Sequence, residues 1–343
     1  MIVLRGYFDF MKGEATYSES EKDWHVELLN STYVWYDMII DPMEGFDVAG
    51  DMRKYLRGIK EGLKSTIGKH FVYFLASRVR VRFCADKKPR YQIISGKLEF
   101  YIEIGRSRSR KKCTADIWVA KSGERAYPDV EITDRYLTIH NGCGGKISMS
   151  IYEILDRCEI DTGISSEVQY VGYTENPEER PLNRKHRGFG DMLHWTTRED
   201  EAYDYFVFYN LFKVTSIAMQ PGAMLNFMLA NSMIDEVPAD VEGRILEKTL
   251  IKYFGAKSQE SNKKRESAEL KNQLEELAAN YRIKSITFDI EMDRHCELFR
   301  FFSRSVAPTN RHHFTCQIGE FGAEIVSPKD FGLIPIPPGL VVP

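Results

Sequence analysis

The 343-residue chain has six cysteines but no C-x-x-C pair. Cys84, Cys113, Cys143, Cys158, Cys296 and Cys316 are scattered, so neither a disulfide framework nor a ribbon-type zinc site is expected. No run approaches the ~18 apolar residues of a membrane span, so no membrane partner is expected. The first residues, MIVLRGYFDFMKGEA, meet Arg5, Asp9 and Lys12 too soon for a signal peptide. A cytoplasmic location is the resulting expectation. There is no internal repeat. Nor is there an overall excess of cations, since the formal net charge is -3. The class left standing is a globular one, with 43% hydrophobic and 28% charged residues and length for about two domains.

Residues 1–145 read as a strand-rich α+β domain. STYVWYDMII and FVYFLASRVRVRFCAD have strand texture. Met52, Tyr55, Leu56, Ile59, Leu63 and Ile67 recur at helical spacing between them. Residues 146–326 form the second expected domain. It contains the strand VQYVGYT, an aromatic strand from EAYDYFVFYNLFKV and a helix after Pro221. A second helix begins near Pro238, and a third is AELKNQLEELAANYR. Residues 327–343 read as an extended Pro-rich tail. The neighbours His295, Cys296, His312, His313 and Cys316 fit no common zinc spacing; a hairpin with buried cysteines and exposed histidines is the plainer expectation.

Charge is unevenly placed. From Arg78 to Lys112, twelve Lys and Arg stand against Asp86, Glu99 and Glu103. In SRVRVRF the alternation puts Arg78, Arg80 and Arg82 on one face and Val79, Val81 and Phe83 on the other. Arg106, Arg108, Arg110, Lys111 and Lys112 follow in a stretch with loop composition. Such a segment suits the phosphate backbone of nucleic acid; a solvated strand face with a basic loop is the structural alternative.

VQYVGYT ends at Asn176-Pro177, which reads as an N-cap and first helical position, with Glu179 completing a capping box and Arg180 in the first turn. Gly172, beside Tyr170 on one strand face, leaves room for a close backbone approach. On EGRILEKTLIKYF, Glu247 shares its side with Leu250, Ile251 and Phe254, so a cation must meet it: an arginine or a divalent metal.

These residues together resemble the GIY-YIG nuclease family over about residues 146–265. Tyr170-Val171-Gly172 matches the second signature, Arg180 lies ten residues after Tyr170, and Glu247 opens the E-x-x-L-I helix. Ser150-Ile151-Tyr152 is the counterpart of the first signature, although S-I-Y-E also reads as a capping box opening a short helix. Arg184 stands where the family's histidine is usual, with His186 two residues on, and Asn262 is the counterpart of the trailing asparagine. The resemblance implies a small antiparallel sheet flanked by helices. It also implies an endonuclease cutting double-stranded DNA with one Mg²⁺ or Mn²⁺, in restriction or defence against foreign DNA. In that scheme Glu247 ligates the metal and Arg180 holds the phosphate. Tyr152 or Tyr170, with His186, helps deprotonate the attacking water. Arg184, Asn262 and the basic segment would meet DNA. Two alternatives stand beside it: a nucleic-acid-binding protein of this fold without catalysis, and an unrelated α+β interaction protein.

Overall fold

The computed structural model describes residues 4–42, 47–66, 68, 71–121, 124–140, 144–179, 181–182, 187–219, 227–256, 259, 263–292 and 296–329. Its class is α+β. The frame is a mixed nine-stranded sheet, larger than the small antiparallel one expected. Phe71–Val79 lies inside it, between Ser166–Thr174 and Tyr203–Met219, antiparallel to both. On the far side of Tyr203–Met219 comes Glu21–Trp35, antiparallel to it and parallel to Ile283–Glu291. Arg311–Gly319 and Gly322–Val326 extend that end.

This topology crosses the expected boundary at residue 145. Glu21–Trp35 and Phe71–Val79 pair with strands that begin at residues 166, 203 and 283, so the sheet is shared by both halves of the chain. Pattern explains the placement. FVYFLASRV is buried along both faces, as a central strand must be. Its Val72, Phe74 and Ala76 join one apolar cluster, and Phe71, Tyr73 and Leu75 join another on the opposite face.

Helices cover both faces. Val48–Thr66 and Arg187–Thr196 pack on the Tyr73 face through Leu56, Phe189 and Met192. Ala239–Phe254 and Lys263–Tyr281 pack on the Phe74 face. Leu270, Leu274 and Leu277 recur at four and three residues, making one stripe on the last of these. Burying each such leucine contributes about 2 kcal/mol. The helix expected after Pro221 is largely replaced: Phe227–Ala230 pairs with Tyr203–Met219, and Asn231–Ile234 is a single helical turn. Residues 177–179, where a helix is expected, form a turn, and the next helix among the described residues is Arg187–Thr196. Lys60 draws Asn176 and Glu178 to itself, and Tyr209 donates to the Pro177 carbonyl, so tertiary contacts hold this segment where local capping would have coiled it.

Residues 81–150 form smaller sheets on the frame. Val81–Phe83, Arg90–Tyr91 and Ser109–Ala115 pair with Leu98–Ile104. The expected loop 106–112 is therefore mostly hairpin, with a turn at 105–108 and Arg110–Lys112 in a strand. Asp129–Ile132, Tyr136–His140 and Lys146–Ser150 form a three-stranded sheet. Residues 330–343, which hold most of the expected tail, lie outside the described residues.

Candidate nucleic-acid interface

Of the residues carried by the nuclease resemblance, Tyr152 and Tyr170 lie on opposite faces of the large sheet. Ser150 caps the Ile151–Arg157 helix in a full capping box with Glu153, so the S-I-Y stretch bends from strand into helix. That turn places Tyr152 in the core on the Phe74 face, edge-on to Trp35 and Phe206 at 5.0 and 4.9 Å. Its hydroxyl donates to buried Asp204 and accepts the Val81 N–H at 3.3 Å. Burial, then Asp204, pushes the hydroxyl well above the ordinary tyrosine range, the opposite of what a general base needs.

Tyr170 lies on the other face, its ring stacked 6.0 Å from Tyr73. Gly172 makes room for these two rings, where a Cβ would fall 2.4 Å from the Tyr73 hydroxyl. The space expected for a backbone is filled by side chains. Glu247 sits at the strand edge and accepts the Tyr173 N–H at 2.8 Å. Two residues back, Gln259 accepts the Val171 N–H at 3.0 Å and donates to its carbonyl at 2.8 Å. Beyond its short pairing with Phe301–Phe302, this edge has no strand partner among the described residues. Glu247 and Gln259 satisfy its polar groups instead. The spacing of Glu247 from Tyr173 is set by this edge, a role that helix periodicity alone does not reveal. Arg180, Arg184, His186 and Asn262 lie outside the described residues.

Glu247 belongs to no group of three or more metal-ligating side chains among the described residues. The one such group is Cys84, Asp86 and Glu103. Arg110 pairs with both of its carboxylates, and burial holds the Cys84 thiol up at about 11, so it offers neither a ready thiolate nor the open oxygens a hard cation takes. The zinc alternative also disperses. His312 and Cys316 share one strand face four residues apart, about 13 Å, while His313 points outward. His312 is buried, contrary to expectation, and its Nδ1 meets the Tyr253 hydroxyl at 3.1 Å. His295 lies outside the described residues.

The basic segment splits in two. Arg78 is 1% exposed and pairs with buried Glu297. That carboxylate also accepts N–H groups from Thr162, Gly163 and Ile164. The expected common face of Arg78, Arg80 and Arg82 fails for this reason: the first arginine belongs to the core of the large sheet. Arg82 is also largely committed, donating to both Asp204 oxygens at 2.6 and 2.8 Å and to Asp37 at 2.9 Å. Lys111 donates to the Asp161 carbonyl and Lys112 pairs with Glu99, both at 2.6 Å.

The remaining arginines converge. Arg80, Arg106, Arg108 and Arg110, with the edge of Arg82, line a cavity of about 560 Å³ between the two sheets. Its frame is backbone: Arg80 donates to Ala202 and accepts from Gly105, each at 2.8 Å. Gly105 has φ +69° and stands against the Glu201 carboxylate, which accepts the Arg106 N–H. A side chain at 105 would clash with that carboxylate, a Cβ falling 2.9 Å from it. Arg80, Arg106, Arg108 and Arg110 are 44–79% exposed. Among the described residues Arg80 and Arg108 have long ion pairs, 3.7 Å to Asp204 and 3.9 Å to Glu103. Asp86, Glu103 and Asp134 also line the cavity, and Asp37, Asp200 and Asp204 pair with its arginines from beside it.

A larger cavity of about 840 Å³ is lined by Tyr33, Trp35, Phe299, Glu153, Asp156 and Glu297 among others. Its carboxylates make it unsuitable for phosphate. Compared with protein-family models, curated proteins and solved structures, the chain has no match.

Proposed function

We propose that this protein binds nucleic acid, duplex DNA in the first instance, by seating backbone phosphates against Arg80, Arg106, Arg108 and Arg110. The observation that carries the reading is the convergence of these four exposed guanidinium groups on one cavity. Arg106, Arg108 and Arg110 come from one hairpin and Arg80 from the chain beside it, all facing the same space, and each has N–H donors beyond those used in its ion pairs. Guanidinium groups take phosphate oxygens in bidentate fashion and need no base contacts to do so. Binding is preferred to phosphodiester hydrolysis because Tyr152 is buried on the opposite face from Tyr170 and Glu247 holds a backbone N–H.

Duplex and single-stranded DNA titrated across about 50–200 mM salt test the reading against Arg106→Ala/Arg108→Ala/Arg110→Ala. The expected result is weaker binding in the triple variant, with the slope of log K against log salt reduced by about 3. Unchanged affinity and slope would sink it. A parallel incubation with Mg²⁺ or Mn²⁺ addresses cleavage: cutting that disappears in Glu247→Ala would replace binding with hydrolysis as the function.

A further inference from the structure

The small sheet has a second exposed feature at its other end. Ile93 and Ile94, at the tip of the hairpin between Arg90–Tyr91 and Leu98–Ile104, are fully exposed, at 103% and 101%. The turn is well made: Gln92 donates to the Lys97 carbonyl and Gly96 to the Gln92 carbonyl, each at 2.9 Å. Both isoleucines are thus held out of the core by a closed turn. Single exposed apolar residues are ordinary, but an adjacent fully exposed pair calls for an explanation.

Aromatic residues stand beside the tip. Tyr127 is 52% exposed, and its hydroxyl lies where a Cβ on Gly96 would fall. Its ring is 4.9 Å from that of Tyr91. Arg125 bridges Tyr127 and the 48%-exposed Trp118, with its guanidinium 5.9 and 5.3 Å from the two rings. The segment KKPRYQIISGK carries Lys87, Lys88, Arg90 and Lys97 and no carboxylate. Of the carboxylates beside it, Glu99 is held by Arg90 and Lys112 and Asp116 by Arg125, while the exposed Asp129 lies near Tyr91.

We infer that this tip docks on an anionic lipid bilayer, with Ile93 and Ile94 entering the acyl region and Trp118 and Tyr127 resting at headgroup level. A protruding pair of isoleucines has no complementary surface in a rigid flat partner, whereas a fluid bilayer closes around it. Amphipathic aromatic rings favour the interface, and the cations face anionic headgroups. This departs from the expectation of no membrane partner, which rested on the lack of a spanning segment; the docking is peripheral. It is independent of the arginine cavity, which lies at the far end of Leu98–Ile104, about 20 Å away.

Co-sedimentation with phosphatidylcholine vesicles, with and without phosphatidylserine, tests the inference on the full chain. Wild-type protein should bind the anionic vesicles, weaken in high salt, and show a blue shift in emission that Trp118→Phe removes. Ile93→Asp/Ile94→Asp should bind at least about tenfold more weakly while retaining DNA binding. Lys97→Glu should weaken binding to anionic vesicles. Failure of the wild type to bind anionic vesicles, or equal binding by the Ile93→Asp/Ile94→Asp variant, would overturn the inference. Lipid-independent self-association abolished by that double variant would overturn it too, assigning the tip to a second copy.

Discussion

Arg78 and Arg80 are two residues apart in SRVRVRF, yet the first is sealed in the core and the second opens onto a cavity. Arg78 lies in the large sheet, facing the apolar cluster and meeting Glu297. Its Nε and Nη1 lack hydrogen-bond partners among the described residues, while its guanidinium lies 5.8 Å from the Tyr152 ring. Arg80 lies where the chain leaves that sheet for the smaller one, so its side chain is released to solvent. The same residue type thus carries structure in one place and a candidate binding surface in the other, because a buried cation must be paired and an exposed one need not be.

The largest expected effect is on the buried side. Glu297→Ala leaves Arg78 uncompensated and should cost about 3–5 kcal/mol in urea unfolding. Arg78→Met/Glu297→Leu should recover part of that loss. A cost below about 1 kcal/mol for the single change would erase the distinction from a surface pair.

His312 supplies a pH-dependent version of the same contrast. Burial lowers its pKa to about 4, while the unfolded chain takes up the proton near 6.5. Protons therefore favour the unfolded state between those values, and stability falls as the pH drops from about 6.5 towards 4. The loss should be of the order of 3 kcal/mol by the lower end. His312→Gln should flatten this part of the stability–pH curve, as measured by urea midpoints at several pH values. An unchanged slope would place the titrating group elsewhere.

Smaller effects should follow at the Ser166–Thr174 edge. Gln259→Ala exposes the Val171 N–H and carbonyl and should cost about 1–2 kcal/mol, with increased self-association as its second readout. The smallest change in stability belongs to the cavity. Arg108→Ala should shift the unfolding midpoint by less than about 0.5 kcal/mol while reducing the salt slope of DNA binding by about 1. A large stability loss there would move Arg108 into the structural group.

Much of the element content was legible locally. The Ala239–Phe254 helix, the long aromatic strand Tyr203–Met219 and the S-x-x-E capping box at Ser150 all follow from periodicity or capping chemistry. The basic segment was also visible, since charge density needs no fold to be counted. Faces were not. Tyr152 and Tyr170 each belong to a plausible motif, and only the alternation of Phe71–Val79 between two covered faces shows that they are separated by the sheet. Glu247 reads in the sequence as a carboxylate on an apolar helix, but that it accepts from a strand edge 74 residues away is not legible there.

By itself, then, the sequence determined a globular α+β chain, its principal helices and strands, and a concentration of arginine between residues 78 and 112. Tertiary structure alone decided that Glu21–Trp35 and Phe71–Val79 pair with strands beyond residue 145. It also decided which arginines are buried and which converge, and that Ile93 and Ile94 remain outside. The physical reason is range: propensity and periodicity act over a few residues, whereas burial and ion pairing depend on groups that only the folded sheet brings together.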